Sequence, residues 1–116
     1  MALQPRSTRI FSDEVVSGSG SATSTPLSYD ISIGPSGFHA LQFKVTGSGT
    51  VTFSYEVSAD GTNYIVPEGA VDIIAGESAG DWKYIKFSAE VSTSIRIKVT
   101  ETAGSDATIN AYLVIA

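Results

Sequence analysis

Three kinds of side chain in this sequence could carry chemistry: one histidine, twelve carboxylates, and an aromatic set of five tyrosines, five phenylalanines and one tryptophan. His39 stands between Phe38 and Ala40 beside a glycine turn, and neither a serine nor an acidic motif next to it makes a nucleophile elbow. It is expected to be structural, facing solvent or hydrogen-bonded. A glycosidase would need two carboxyls facing each other across a cleft at about 5 to 9.5 Å. Here Asp60, Glu77, Asp81 and Asp106 fall at turns, while Asp30 and Glu56 fall on the wet faces of strands, so they are expected to act as solubility charges. Asp72, Glu77 and Asp81 are the one set that could hold calcium, yet their spacing matches no loop with defined ligand positions. No catalytic residue, metal or cofactor is therefore expected, and the chain is not expected to be an enzyme. The aromatics leave an opening, because Tyr64, Trp82, Tyr84 and Tyr112 could stack on sugar rings if they shared an exposed platform. Buried in a core or a subunit contact, the same residues would serve packing and assembly instead.

The elements that must position these groups are strands. Val51, Phe53, Tyr55 and Val57 alternate with Thr50, Thr52, Ser54 and Glu56, which buries one face of a strand and wets the other. The same two-beat pattern returns at Leu27, Tyr29, Ile31 and Ile33, at Leu41, Phe43 and Val45, at Ile95, Ile97 and Val99, and at Ile109, Ala111, Leu113 and Ile115. Turn residues break the chain every eight to fifteen positions, which predicts strands near 27–33, 38–46, 50–57, 63–66, 70–74, 82–87, 94–101 and 108–115, with one more at 9–16. Asp60-Gly61 predicts a two-residue hairpin turn joining 50–57 to the strand containing Tyr64 to Val66. Ser58 to Tyr64 has some likeness to the Asp-box of β-propeller enzymes, but the spacing between Asp and Gly fails. Trp82 to Phe87 is apolar on both faces for part of its length and should turn a corner or meet a partner. Together these features predict an all-β fold: an antiparallel two-sheet sandwich of jelly-roll or related Greek-key topology, with an immunoglobulin-like topology as rival.

Bulk properties narrow the function. A chain of 116 residues suits one domain and one core. Without cysteine there is no disulfide and no thiolate chemistry. Seven scattered Lys and Arg residues in a chain of net charge −5 argue against nucleic acid as a partner. No stretch approaches the roughly 20 apolar residues that span a bilayer, so no membrane partner is expected, and the start lacks the apolar region of a secretory signal. The chain is expected to be made and left soluble in a cytosol.

Residues 1–25 read as an N-terminal arm and Ser/Gly-rich tract, and residues 26–116 as the β-sandwich domain. Arg6 and Arg9 make the arm basic against an acidic body, and Ile10, Phe11, Val15 and Val16 give it a short apolar group. Either Arg9 to Val16 is the first strand of the domain's own sheet, or it docks on another molecule; extended, about 25 residues reach roughly 80 Å. The tract Ser17 to Thr25 reads as flexible.

The arm, the tract, the segment Gly37 to Gly49, the Ser58 to Tyr64 hairpin and the closing Ile95 to Thr102 strand before Ala107 to Ile115 resemble small β-sandwich virion proteins of tailed bacteriophages. That resemblance implies a capsid decoration (cement) protein, or a head-fibre or tail accessory, assembled as a homotrimer or larger ring. It carries no catalytic residues. The implied location is the virion, and the implied partners are further copies of the chain and the major capsid protein or another virion protein. Arg6, Arg9, Ile10, Phe11, Trp82 and Tyr84 are the candidate contact residues. The alternative is a carbohydrate- or receptor-binding module on the same scaffold.

Overall fold

The structure, a computed structural model, describes residues 6–28, 39–90 and 92–115. The expected strand positions 29–33 and the Gly34 to Gly37 turn lie outside them. Nine strands follow in order: β1 Arg6–Val16, β2 Ser21–Thr23, β3 Leu27–Ser28, β4 His39–Gly47, β5 Val51–Ser58, β6 Ile74–Glu77, β7 Lys83–Phe87, β8 Ser94–Glu101 and β9 Ala107–Ile115. They form two antiparallel sheets, β1-β9-β4-β7 and β2-β8-β5-β6, with β3 joining the second through β8. The pairings are nested: β1 with β9, β2 and β3 with β8, β4 with β7, β5 with β6. Pairs β4·β9 and β5·β8 then close the roll. The described residues thus form a two-sheet antiparallel β-sandwich.

Strict alternation builds the core. Strands β5, β8 and β9 bury every second side chain, and their buried faces meet those of β4 and β1 between the sheets. Phe43 of β4 and Phe53 of β5 touch across the sandwich with ring centroids 4.6 Å apart and planes tilted by 44°, an arrangement aromatic quadrupoles favour.

β1 pairs with β9 along its whole length and points Phe11, only 2% exposed, and Val16 into the core. The strand bulges twice, between Arg9 and Phe11 and between Phe11 and Glu14, and Asp13 takes a φ of 50°. Asn110 of β9 clasps that bulge: its Oδ1 accepts the Asp13 N–H at 2.9 Å and its Nδ2 donates to Asp13 Oδ1 at 3.0 Å. Thus Arg9 to Val16 is an edge strand of the chain's own four-stranded sheet.

Three sequence expectations change. The Ser/Gly tract is held by hydrogen bonds: Ser17 to Gly20 form a tight turn, β2 pairs with β8, and Ser24 Oγ accepts the Ile97 N–H at 2.9 Å where the ladder pauses between β2 and β3. No strand forms at 63–66. Val57 and Ile65 make a single bridge, and Ile65 and Val66 remain exposed, so no alternating face exists there to bury. The strand expected at 70–74 lies instead at Ile74–Glu77, after a register shift opposite Val51 to Phe53.

Candidate functional site

Cross-strand partners point to the same face of a sheet, so the pairing register lays out the outer surface of the four-stranded sheet row by row. Arg9 lies opposite Tyr112, Tyr112 opposite Gln42, and Gln42 opposite Tyr84, one residue from each of β1, β9, β4 and β7. Trp82, just before β7, brings its ring to 6.0 Å from that of Tyr112. The Arg9 guanidinium sits 5.5 Å from the Tyr112 ring centroid on a cation–π contact, and its Nη2 donates to Asn110 Oδ1. Trp82 is 41% exposed and Tyr84 63%. Trp82 to Phe87 is therefore two-faced because it is an edge: Tyr84 looks outward, while Ile85 and Phe87 pack against the core. Tyr64 does not join this surface. It lies beside the other sheet, its hydroxyl 2.7 Å from Ser94 Oγ and its ring under the Arg96 guanidinium, which pairs with Glu56 at 2.7 Å.

Of the residues expected to meet a partner, Arg9, Trp82 and Tyr84 thus share one surface. Arg6 instead donates to the Ser28 carbonyl, Ile10 is half-buried against the core, and Phe11 is sealed within it.

Groups with catalytic potential are held by the fold. Asp60 lies not in a two-residue hairpin but at the centre of a longer loop between Ser58 and Ile65. Its Oδ1 accepts from Ser58 Oγ, Thr62 N and Asn63 N, and its Oδ2 from Asn63 Nδ2. The Asn63 and Thr62 N–H groups, then the Asn63 and Ser58 side chains, push its pKa far below the usual carboxylate range. A hollow of about 350 Å³ lies beside this loop, lined by Val57, Asp60, Ile65 and Ser92 among others. With its carboxylate oxygens so engaged and its proton affinity so low, Asp60 is a poor general base. His39 is buried at the start of β4 with its ring 5.1 Å from that of Phe87, within the fold and away from solvent. Glu77 of the calcium set is paired with Lys83 at 3.0 Å, and no three His, Asp or Glu among the described residues gather as a metal site.

Gly76-Glu77-Ser78-Ala79-Gly80 also spells Gly-x-Ser-x-Gly, but it leaves an edge strand with no helix behind it. Ser78 Oγ lies 3.2 Å from Thr50 Oγ1. The strained strand-to-helix elbow that exposes a nucleophile is absent from this segment.

No protein-family profile matches the chain, and no curated protein matches it in sequence. Solved structures do. The fold matches a chain in the structure of infectious bursal disease virus, Gx strain, over 97% of this chain, with a TM-score of 0.60 and 13% identity. A chain of the Gt strain matches over the same share, with a TM-score of 0.54 and 13% identity. What is shared is the fold. This chain spans about a third of those viral chains, 31% and 32% of their lengths. The SPBc2 prophage-derived protein YomS aligns over 98% of this chain and 97% of its own, at a TM-score of 0.48 and 12% identity.

Among the described residues, the most heavily bonded carboxylate is Glu101, at the end of β8. It is 2% exposed. Its carboxylate accepts backbone N–H groups from Ser19 at 2.8 Å, Thr50 at 2.9 Å, Ala103 at 2.7 Å, Gly104 at 2.6 Å and Ser105 at 3.2 Å. Burial alone would raise its pKa. The N–H groups of Ser19, Thr50, Ala103 and Gly104 outweigh that and hold it down at about 2. One carboxylate thereby pins three turns, 17–20, 47–50 and 102–105, where they converge at one end of the sandwich. Those turns pack so closely that a Cβ on Gly18 would stand 2.6 Å from the Gly104 carbonyl. Glu101 was not among the candidates, although Ile95, Ile97, Val99 and Glu101 are in phase on the inward side of β8. An acidic residue in the buried register was the available signal.

Proposed function

We propose that this chain is a structural protein of a virus particle: a jelly-roll subunit that decorates a capsid surface and stabilises it by associating with its own copies and with the major capsid protein. The nested pairing carries this reading. First strand with last and second with next to last, in sheets β1-β9-β4-β7 and β2-β8-β5-β6, supports a double-sheet jelly-roll reading, an arrangement that viral capsid domains use. The fold likeness to chains of infectious bursal disease virus, across 97% of this chain, supports it. So does the condition of the polar groups, which serve architecture: Asp60 organises a loop and Glu101 ties three turns.

The four-stranded sheet has β1 and β7 as its two edges, and the five-stranded sheet ends in β6 and in the short β2 and β3. Open edges invite pairing with another chain, and closed symmetry among copies would cover them, a trimer being the proposed state. The location is the virion. Co-sedimentation tests the reading: the purified protein should travel with particles from cells that encode it when these have been stripped of the endogenous copy, and saturate at a fixed ratio to the capsid subunit. Failure to travel with such particles, by folded protein, contradicts it.

A further inference from the structure

The outer face of the four-stranded sheet is neither a uniform apolar patch nor an ordinary charged surface. Across one row run Arg9, Tyr112, Gln42 and Tyr84, with Trp82 beside Tyr112. The flanking rows add Asn110 opposite Lys44, and Ala40 opposite Lys86. Four strands span three gaps of about 4.8 Å, so the row extends for roughly 14 Å, a length suited to a short run of sugar rings. Three cations, Arg9, Lys44 and Lys86, stand on this face of a chain whose net charge is −5. Asp13 accepts a hydrogen bond from the Asn110 amide, and Asp81 one from the Trp82 backbone N–H at 3.0 Å.

We propose that this face binds an acidic polysaccharide, one whose pyranose rings carry carboxylates. The C–H groups on the flat side of a pyranose are attracted to the electron-rich faces of the exposed Trp82 and Tyr84. The amide of Gln42 offers donors and an acceptor to hydroxyls, and Arg9, Lys44 and Lys86 attract the carboxylates. Trp82 stacks against Tyr112, whose ring lies under Arg9, and these contacts hold the Trp82 ring in place before a ligand arrives, which lowers the ordering cost of binding. A second copy of the chain is a poorer occupant. A two-fold contact of this face with itself would bring the three cations of each copy into one interface and bury Gln42 between rings, where an unmatched amide is costly.

Affinity electrophoresis tests this with the full chain in native gels containing alginate, with dextran as the neutral control. The expected result is retardation by alginate and not by dextran, weakened by salt. Trp82→Ala and Tyr84→Ala should each weaken it about tenfold or more, and Lys44→Gln with Lys86→Gln should also weaken it, with thermal melts showing that the variants fold. Should Trp82→Ala fail to fold, Tyr84→Ser with Lys86→Gln, both on exposed positions, makes the same test. Absence of retardation, equal retardation by dextran, or unchanged retardation in the folded variants would each overturn the proposal. A folded Trp82→Ala variant that dissociates an oligomer and leaves alginate binding intact would assign the face to a second copy and overturn it as well. These gels need no particle, so their outcome is separable from the proposed capsid role.

Discussion

At the scale of single residues, the polar groups that look chemically able are the ones the fold consumes. Glu101 shows the principle most clearly, because a buried carboxylate survives only where hydrogen bonds replace its lost water. Its pKa falls from the ordinary 4.5 to about 2 in the folded chain. A group whose folded pKa is depressed stabilises the protein fully above its unfolded value and loses that contribution as pH falls through the folded one. The melting temperature should therefore drop as pH is lowered from about 4.5 toward 2. Glu101→Gln should melt at lower temperature already at neutral pH, since an amide NH₂ would face backbone N–H donors, and should show a shallower acid limb; differential scanning calorimetry across that range measures both. Asp60 follows the same sign. Because its two oxygens accept from Ser58, Thr62 and Asn63, Asp60→Asn should lower stability measurably, where the two-residue hairpin reading would have it silent. Gly61 has a φ of 77° and open space around its Cβ position, so Gly61→Val should cost about 1–3 kcal/mol from backbone strain alone, read by urea denaturation.

At the scale of elements, strands that feed the core on one face were legible and the others were not. β4, β5, β8 and β9 lie within a residue or two of where alternation puts them, since each buries every second side chain. β6 is a four-residue edge strand with no such pattern, and β2 is three residues held by the β8 ladder, so neither leaves a local signature. The candidate surface was half legible. Trp82, Tyr84 and Tyr112 were named as able to stack, but only the register of β9, β4 and β7 joins them and sends Tyr64 elsewhere, and register depends on contacts distant in sequence. β1 sharpens the point. Its burial of Phe11 and Val16 contributes roughly 1.5–3 kcal/mol each, a large share of a domain stability of about 5–15 kcal/mol. Deleting residues 1–16 should therefore abolish cooperative folding, seen as a lost near-ultraviolet dichroism signal and a broad melt. A truncated chain that melts sharply at the wild-type temperature would show that β1 is dispensable.

At the scale of the whole molecule, the sandwich presents the edges of both sheets and one decorated face toward other molecules. The edges predict self-association: light scattering at protein concentrations on the order of tens of micromolar should give the mass of a homo-oligomer, a trimer being expected, and a monomer mass would restrict assembly to the particle surface. The decorated face predicts a ligand outside the particle. Both proposals rest on a two-sheet sandwich whose stability is secured internally, by the core between the sheets and by Glu101 at one end. Immunogold electron microscopy of particles purified from cells that encode this chain tests the proposed virion role most directly. Label at regular, repeated positions on the particle surface is the predicted result, and unlabelled particles beside abundant folded protein in the same lysate would contradict it.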